Sequence, residues 1–508
     1  MAAIDPGWKA GDAVLEFSQA ERRFEWWRRT VGLFLGPVAF AALLALPLPG
    51  LSDDAHRLAA IVSLVVAWWV TEAIPVAATA LLGAALTVVM GVASAQDAFA
   101  PFASPTIFLF LGSFILAEGI AANGLDRRLA FALLRSPWLA SSPGRVRLAA
   151  GLLAGGLSMW MSNTATAAML LPVVLGLLGG SARAGGAGGS ATGFLLVLAY
   201  SASIGGVATP VGTPPNLIAI GMLERLAGRD VDFFRWMALG VPLAAAMYAA
   251  LTLIVRYMYP AAQTAVQSSG ERESEWGPTG PLGRGEKNAI VAFGTAVILW
   301  ITPGVTALAF GTSSAPYRFL SARLDEGVVA LLAALLLFVL PVDWQRRQFT
   351  VTWAQASRID WGTILLFGGG LSLGRLMFTS GLAEKIGIGL VSASGAHSLW
   401  TITAVMCAVA ILMTEVTSNT AATNMLVPVA LAISQAAGVS PLPPVLAVTF
   451  GASMAFMLPI STPPNAIVYG SGLVPITAMI RCGLLLDLVS FAIIVLGLRL
   501  LCPVLGLL

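Results

Sequence analysis

Apolar runs of about 17 or more residues recur along the whole chain between short polar segments, the length a helix needs to cross roughly 30 Å of hydrocarbon. The pattern predicts spans at about 31–49, 58–74, 76–92, 105–122, 193–222, 237–258, 288–303, 326–341, 360–378, 443–470 and 484–505. Pro75 separates the second from the third, because an interior proline removes a helix hydrogen bond and clashes with the preceding turn. Two further apolar stretches, 146–179 and 398–437, run to 34 and 40 residues, whereas about 20 suffice to cross. Each is expected to double back, as a re-entrant hairpin or as two tight spans, and to add no net crossing. The fold class that follows is an all-α polytopic membrane protein of about 11 transmembrane helices plus two re-entrant hairpins.

This path puts the N-terminus in the cytoplasm and the C-terminus outside. Of the 28 Lys and Arg residues, 19 then fall in cytoplasmic segments, in line with the positive-inside rule. Counting the long stretches as single crossings barely changes that balance, so their length, not charge, argues for the hairpins. The first 30 residues carry Glu21, Arg22, Arg23, Trp26, Trp27, Arg28 and Arg29. They lack the early apolar core of a signal peptide and are expected to form an amphipathic arm at the cytoplasmic interface, leading into an uncleaved first span. Residues 261–287, rich in Gly, Pro, Ser and charge, read as a flexible cytoplasmic linker. The Gly-rich piece 184–193 is followed by no Gly-Lys-Ser/Thr, which argues for a linker there rather than a phosphate loop.

The chain repeats itself. MSNTATAAMLLPV at 161–173 matches TSNTAATNMLVPV at 417–429, at an offset of 256. TPVGTPPNLI at 209–218 matches LPISTPPNAI at 458–467, at an offset of 249. Upstream, the run beginning Thr106-Ile-Phe-Leu resembles the run beginning Thr363-Ile-Leu-Leu. The organisation expected is therefore an arm and first helix (1–57), a first repeat (58–258), the linker (259–287) and a second repeat (288–508). An odd number of crossings per half inverts the second half in the membrane, the arrangement of secondary transporters with a site near the midplane.

Ser162-Asn163-Thr164 and Ser418-Asn419-Thr420 fall at the middles of the two long stretches, so a hairpin puts each triplet at a tip deep in the membrane. Broken backbone there is tolerable only where it faces a polar cavity or ligands. Ser, Asn and Thr supply oxygens for a hard cation together with O–H and N–H donors for an anion. Thr213-Pro214-Pro215-Asn216 and Thr462-Pro463-Pro464-Asn465 break the spans that follow, leaving half-helix ends whose partial charges suit ions. Either motif alone is equally a small-residue packing site or a simple kink; their duplication at matched positions argues for function. No Lys or Arg lies in the four motifs, so a dianion there would be held by neutral donors and by bound Na⁺. Glu72, Glu118, Asp360, Arg375 and Glu415 lie near span ends or beside motifs, and intramembrane charges of that kind are candidates for function.

Composition narrows the field. The chain is 57% hydrophobic and 10% charged, against roughly 25% charged in a soluble domain. A net charge of +3, scattered along the sequence, gives nucleic acid no footprint. Cys407, Cys482 and Cys502 lie in or beside apolar stretches and read as packing residues. Two histidines, His56 and His397, with no HExxH, leave little for metal catalysis.

The doubled Ser-Asn-Thr and Thr-Pro-Pro-Asn motifs resemble those of the divalent anion/sodium symporter family of di- and tricarboxylate and sulfate carriers, over roughly residues 58–505. The resemblance implies a dimerising scaffold, a transport subdomain carrying both hairpins, and an elevator mechanism in the inner membrane. It implies a first sodium site at Ser158, Ser162, Asn163 and Gly212 and a second at Thr414, Ser418, Asn419, Ser461 and Pro463. The substrate would meet Asn163, Thr164, Thr213, Asn419, Thr420, Thr462 and Pro463. Gly212 matches Ser461, so the two cation sites need not be equal. The partners implied are a C4-dicarboxylate, sodium ions, lipid and a second copy of the chain. A sodium-independent exchanger, a proton-coupled carrier, or a sulfate or citrate carrier fits the same motifs. A membrane-embedded enzyme needs a nucleophile–base pair or metal ligands at depth, and the motif regions contain neither His nor Cys.

Overall fold

The computed structural model describes residues 19–134, 142–178, 188–261, 280–394 and 398–508. The part of the arm ahead of Gln19, residues 262–279 of the linker and the first part of the Gly-rich piece lie outside them, as do Gly180 and His397. The described chain is almost wholly helical. Its main elements are α1 (Gln19–Ala45), α2 (Asp53–Thr71), α3 (Val76–Val89), α4 (Pro105–Ala122), α5 (Pro143–Ser158), α6 (Asn163–Leu178), α7 (Gly188–Gly206), α8 (Pro214–Ala227) and α9 (Phe233–Met258). There follow α10 (Arg284–Phe310), α11 (Glu326–Val339), α12 (Trp361–Thr379), α13 (Leu382–Ser394), α14 (Leu399–Thr414), α15 (Asn419–Ala436), α16 (Leu442–Gly451), α17 (Pro463–Tyr469) and α18 (Ile476–Val504). Short helices and a two-stranded antiparallel ribbon, Pro341–Asp343 with Gln348–Phe349, fill connections.

Among the described residues, eight helices are long and apolar enough to cross a membrane: α1, α2, α4, α7, α9, α10, α12 and α18. The other expected spans fall on shorter apolar helices or on the broken pairs α7–α8 and α16–α17. From Gln19 the expected arm is continuous with the first span, because no helix breaker interrupts the sequence between them.

Helix ends follow local chemistry. The side chains of Ser52, Asp232, Asp325 and Asp360 accept from the backbone N–H three residues on, at the starts of α2, α9, α11 and α12, satisfying donors the helix itself leaves free. Gly228 ends α8 at φ 60°, in the left-handed region glycine enters without strain.

Burial sorts the helices into centre and perimeter. The most hydrophobic windows of α10 and α18 are only 28% buried, whereas that of α7 is 94% buried. Every residue of α16 is buried. The two helices that precede the broken segments thus form the centre, and α1, α10 and α18 turn rows of Leu, Ile and Val outward. Close packing of the centre depends on small residues. A Cβ on Gly205 of α7 would collide with the backbone of Gly155 in α5, so these two helices meet main chain to main chain, as small residues allow within membranes.

Candidate functional site

Each long apolar stretch is a helix pair with a short break. The first breaks between Ser158 and Asn163, the second between Thr414 and Asn419. Each break faces a helix C-terminus, with its free carbonyls, toward a helix N-terminus, with its free N–H groups. Ser162 and Ser418 sit just before the second helices, and their hydroxyls accept from Ala165 N and Ala421 N at 3.1 and 3.3 Å. They are therefore helix caps as well as candidate cation ligands. Asn163 and Thr164, like Asn419 and Thr420, occupy the opening turn and are partly exposed.

The Asn side chains are placed alike. The Ser158 hydroxyl donates to Asn163 Oδ1 at 2.6 Å, and its counterpart Thr414 lies 2.8 Å from Asn419 Oδ1. The Thr414 hydroxyl is also 2.7 Å from the carbonyl of Ala452. Three oxygens thus converge with one hydrogen among them, a donor set suited to a small hard cation.

The Thr-Pro-Pro-Asn motifs do not lie inside the broken segments, as the loss of two donors predicts, but at the far edge of them. Pro214 and Pro463 are the first residues of α8 and α17, where a helix needs no N–H partner and the fixed φ suits its start. The broken segments lie upstream, at 207–213 and 452–462. Asn216 holds the first together, its amide donating to Gly206 O and Thr209 O at 2.9 and 2.7 Å. Asn465 does the same for the second, to Ala455 O and Leu458 O at 2.9 and 3.0 Å. Both asparagines are fully buried. Thr213 and Thr462 precede the helices in extended conformation without capping through their side chains, and Thr462 Oγ1 is buried with no partner among the described residues. The halves also interlock, since α17 packs on α6 and α8 packs on α15.

The two breaks are tied to their neighbours differently. In the first, Thr209 donates its hydroxyl to the Met159 carbonyl, and a Cβ on Gly206 would stand 2.6 Å from Asn163 Oδ1. A Cβ on Gly212 would stand 2.5 Å from Gly206 O and 3.0 Å from Met159 O, so Gly212 lies where the tip and the broken segment meet. In the second, Glu415 replaces Met159. Its carboxylate accepts from Phe456 N, Met457 N and the Ser461 hydroxyl at 2.7, 3.0 and 2.8 Å, so it supplies acceptors to N–H groups that broken backbone would leave unpaired.

Three of the remaining charged candidates stand apart from this cluster. Asp360 caps α12, Arg375 reaches Asp97 at 4.0 Å on an exposed surface, and Glu118 is partly exposed in α4. Glu72 pairs with Arg28 at 3.1 Å. Gly206, Thr209 and Asp487 escaped the sequence reading. Asp487 on α18 is 4% exposed and faces the Glu415 carboxylate. Its acidity within an apolar run was the available signal.

Long apolar helices around two broken pairs, with the breaks lined by oxygens, suit an integral membrane transporter, and the relatives of this chain are transporters rather than enzymes. The chain belongs to the sodium:sulfate symporter family, matching its transmembrane region over residues 25–508. It is 33% identical over 484 residues to the sodium-dependent dicarboxylate transporter SdcS of Staphylococcus saprophyticus, covering 93% of this chain and 91% of that one. It is 31% identical over 483 residues to SdcS of Staphylococcus aureus strain RF122, covering 92% and 90%. The crystal structure of the Alcanivorax borkumensis YdaH transporter shares the fold at a TM-score of 0.54, with 14% identity over 95% of this chain and 97% of that one.

Proposed function

We propose that this chain imports small dianions, C4-dicarboxylates such as succinate, malate and fumarate, by symport with more than one Na⁺. The observation that carries the reading is the oxygen cluster at each break, Ser158 with Asn163 and Thr414 with Asn419 and the Ala452 carbonyl. A dianion among neutral donors in an apolar interior is costly without countercharge. Bound Na⁺ supplies that charge, so each ligand raises the affinity for the other. The names of the staphylococcal relatives support the same cation and substrate class. Alternating access follows from two inverted halves moving both re-entrant pairs as an elevator against a dimeric scaffold, in the cytoplasmic membrane with the N-terminus inside.

In proteoliposomes, [¹⁴C]succinate uptake is expected to require external Na⁺ and to rise cooperatively with it. Equal uptake in choline buffer at the same pH, dependent on internal dicarboxylate, would overturn symport and establish exchange. Citrate and sulfate in the same assay define the substrate range.

The inverted arrangement has its own test. Ser142 and Ser398 begin α5 and α14 at matched positions. Single cysteines there, in a chain whose buried Cys407, Cys482 and Cys502 are replaced, are expected to react with impermeant maleimide from opposite faces of the membrane. Reaction of both from one face would refute the inversion.

A further inference from the structure

The two tips are held by different means at the residues just before their caps. In the first, Trp160 stacks on Phe233 at 6.2 Å and meets Phe293 edge-on at 5.1 Å. Its counterpart in the second, by the offset of 256, is Val416, which has no ring. There a guanidinium from α1 takes over. Arg28 Nη1 donates to the Val416 carbonyl at 3.0 Å and to the Val70 carbonyl at 3.4 Å. Its Nη2 donates to Glu25 and Glu72 at 2.9 and 3.1 Å. One step further on, the Thr417 hydroxyl donates to the Trp69 carbonyl at 3.3 Å. Val416 and Thr417 are thus tied to the last turn of α2 from two sides, immediately ahead of Ser418.

The clamp is built and aimed. Glu72 adopts φ 47°, a left-handed conformation that a non-glycine residue enters at a cost, and it is there that its carboxylate meets Arg28. Arg29 reaches the same two carboxylates at 3.5 and 3.9 Å, so two cations face two anions and the cluster adds no net charge beside the tip. Arginine suits the role because its planar fork can serve several acceptors at once, whereas an ammonium acts as a point charge.

We infer that Arg28 is a positioning residue for the second cation site: it fixes the carbonyl of Val416 against α2 and thereby sets where Ser418 and Asn419 stand. This rests on the sodium reading above. The arm is therefore part of the site's geometry, although it touches neither ion nor substrate.

The test is the Na⁺ concentration that half-stabilises the purified full-length protein against heat, without dicarboxylate, for wild type, Arg28→Gln, Arg28→Lys and Thr417→Val. Losing a hydrogen bond from a charged donor weakens an interaction by roughly ten- to a hundredfold and losing a neutral one by about two- to tenfold. Arg28→Gln is expected to raise the half-stabilising Na⁺ about tenfold or more, and Thr417→Val to raise it about threefold. Arg28→Lys, with the charge but not the fork, is expected to recover less than half of the loss on a logarithmic scale. At saturating Na⁺, the half-saturating succinate concentration for uptake is expected to rise by a smaller factor than the Na⁺ requirement does, because the clamp reaches the substrate only through Asn419. Thr417→Val removes one hydroxyl without changing shape or charge, so it keeps the test open should Arg28→Gln fail to fold. A merely structural role would lower the melting temperature in choline and leave the Na⁺ requirement unchanged; that result, or full recovery by lysine, would overturn the proposal. A wild type that Na⁺ does not stabilise at all would overturn the sodium reading instead, and the clamp with it.

Discussion

Asn419→Ala is expected to lose both Na⁺-dependent thermal stabilisation and succinate uptake. The amide is the one side chain at this break that offers an oxygen and an N–H together. Its oxygen already stands with the Thr414 hydroxyl and, through it, the Ala452 carbonyl, so it belongs to the cation's set. Its residue opens α15, where the free N–H groups favour an anion. Each lost contact to a charged partner costs about 1.5–3 kcal/mol, a weakening of roughly ten- to a hundredfold, and coupling compounds the two losses. Thr420→Ala removes a partly exposed hydroxyl that no cluster oxygen uses. It is expected to raise the half-saturating succinate concentration by roughly tenfold and to leave the Na⁺ requirement nearly intact. The measurement is Na⁺-dependent melting of purified protein, with and without succinate. Wild-type sodium stabilisation in Asn419→Ala would remove this residue from the cation site.

Gly212→Ala is expected to reduce uptake to background and to lower the melting temperature. The new methyl group would meet the carbonyl oxygens of Gly206 and Met159 at 2.5 and 3.0 Å. Those are backbone atoms anchored by Asn216 and by the Thr209 hydroxyl, and they cannot swing away as a side chain can. Overpacking of this kind costs typically 1–3 kcal/mol, and here the forced shift opens the contact between the first tip and its broken segment. The matched change, Ser461→Gly, creates space instead of filling it. It loses the hydroxyl shared with Glu415 and is expected to weaken uptake by roughly tenfold while the protein still folds. Normal uptake by Gly212→Ala would show that the first break does not require this close approach.

Much of this was legible from local pattern, and the residues show where that legibility stops. The apolar runs marked helices because a membrane span needs only length and hydrophobicity, and α4, α9 and α12 lie where the runs placed them. The repeated Ser-Asn-Thr marked the breaks at Ser158 and Thr414 because the triplets recur at the middles of two apolar stretches too long for one span. The prolines were recognised as breakers, but not as helix starters, since both roles share one requirement, a helix turn without an N–H donor. The link between Arg28 and Val416 spans 388 positions, and no periodicity or motif carries information over that separation.

The sequence by itself determined the solvent, the helices, the doubling and the residue types available to ions, because hydrophobic length, proline geometry and side-chain inventory are local properties. Only the tertiary structure decided which of those residues work together. It joined Ser158 to Asn163 and Thr414 to Asn419, turned Ser162 and Ser418 into caps, made Asn216 and Asn465 the ties of the broken segments, and gave Glu415 the N–H groups of Phe456 and Met457. The physical reason is that broken backbone inside an apolar interior must have every donor and acceptor satisfied, and the partners that satisfy it come from whichever distant helices pack there.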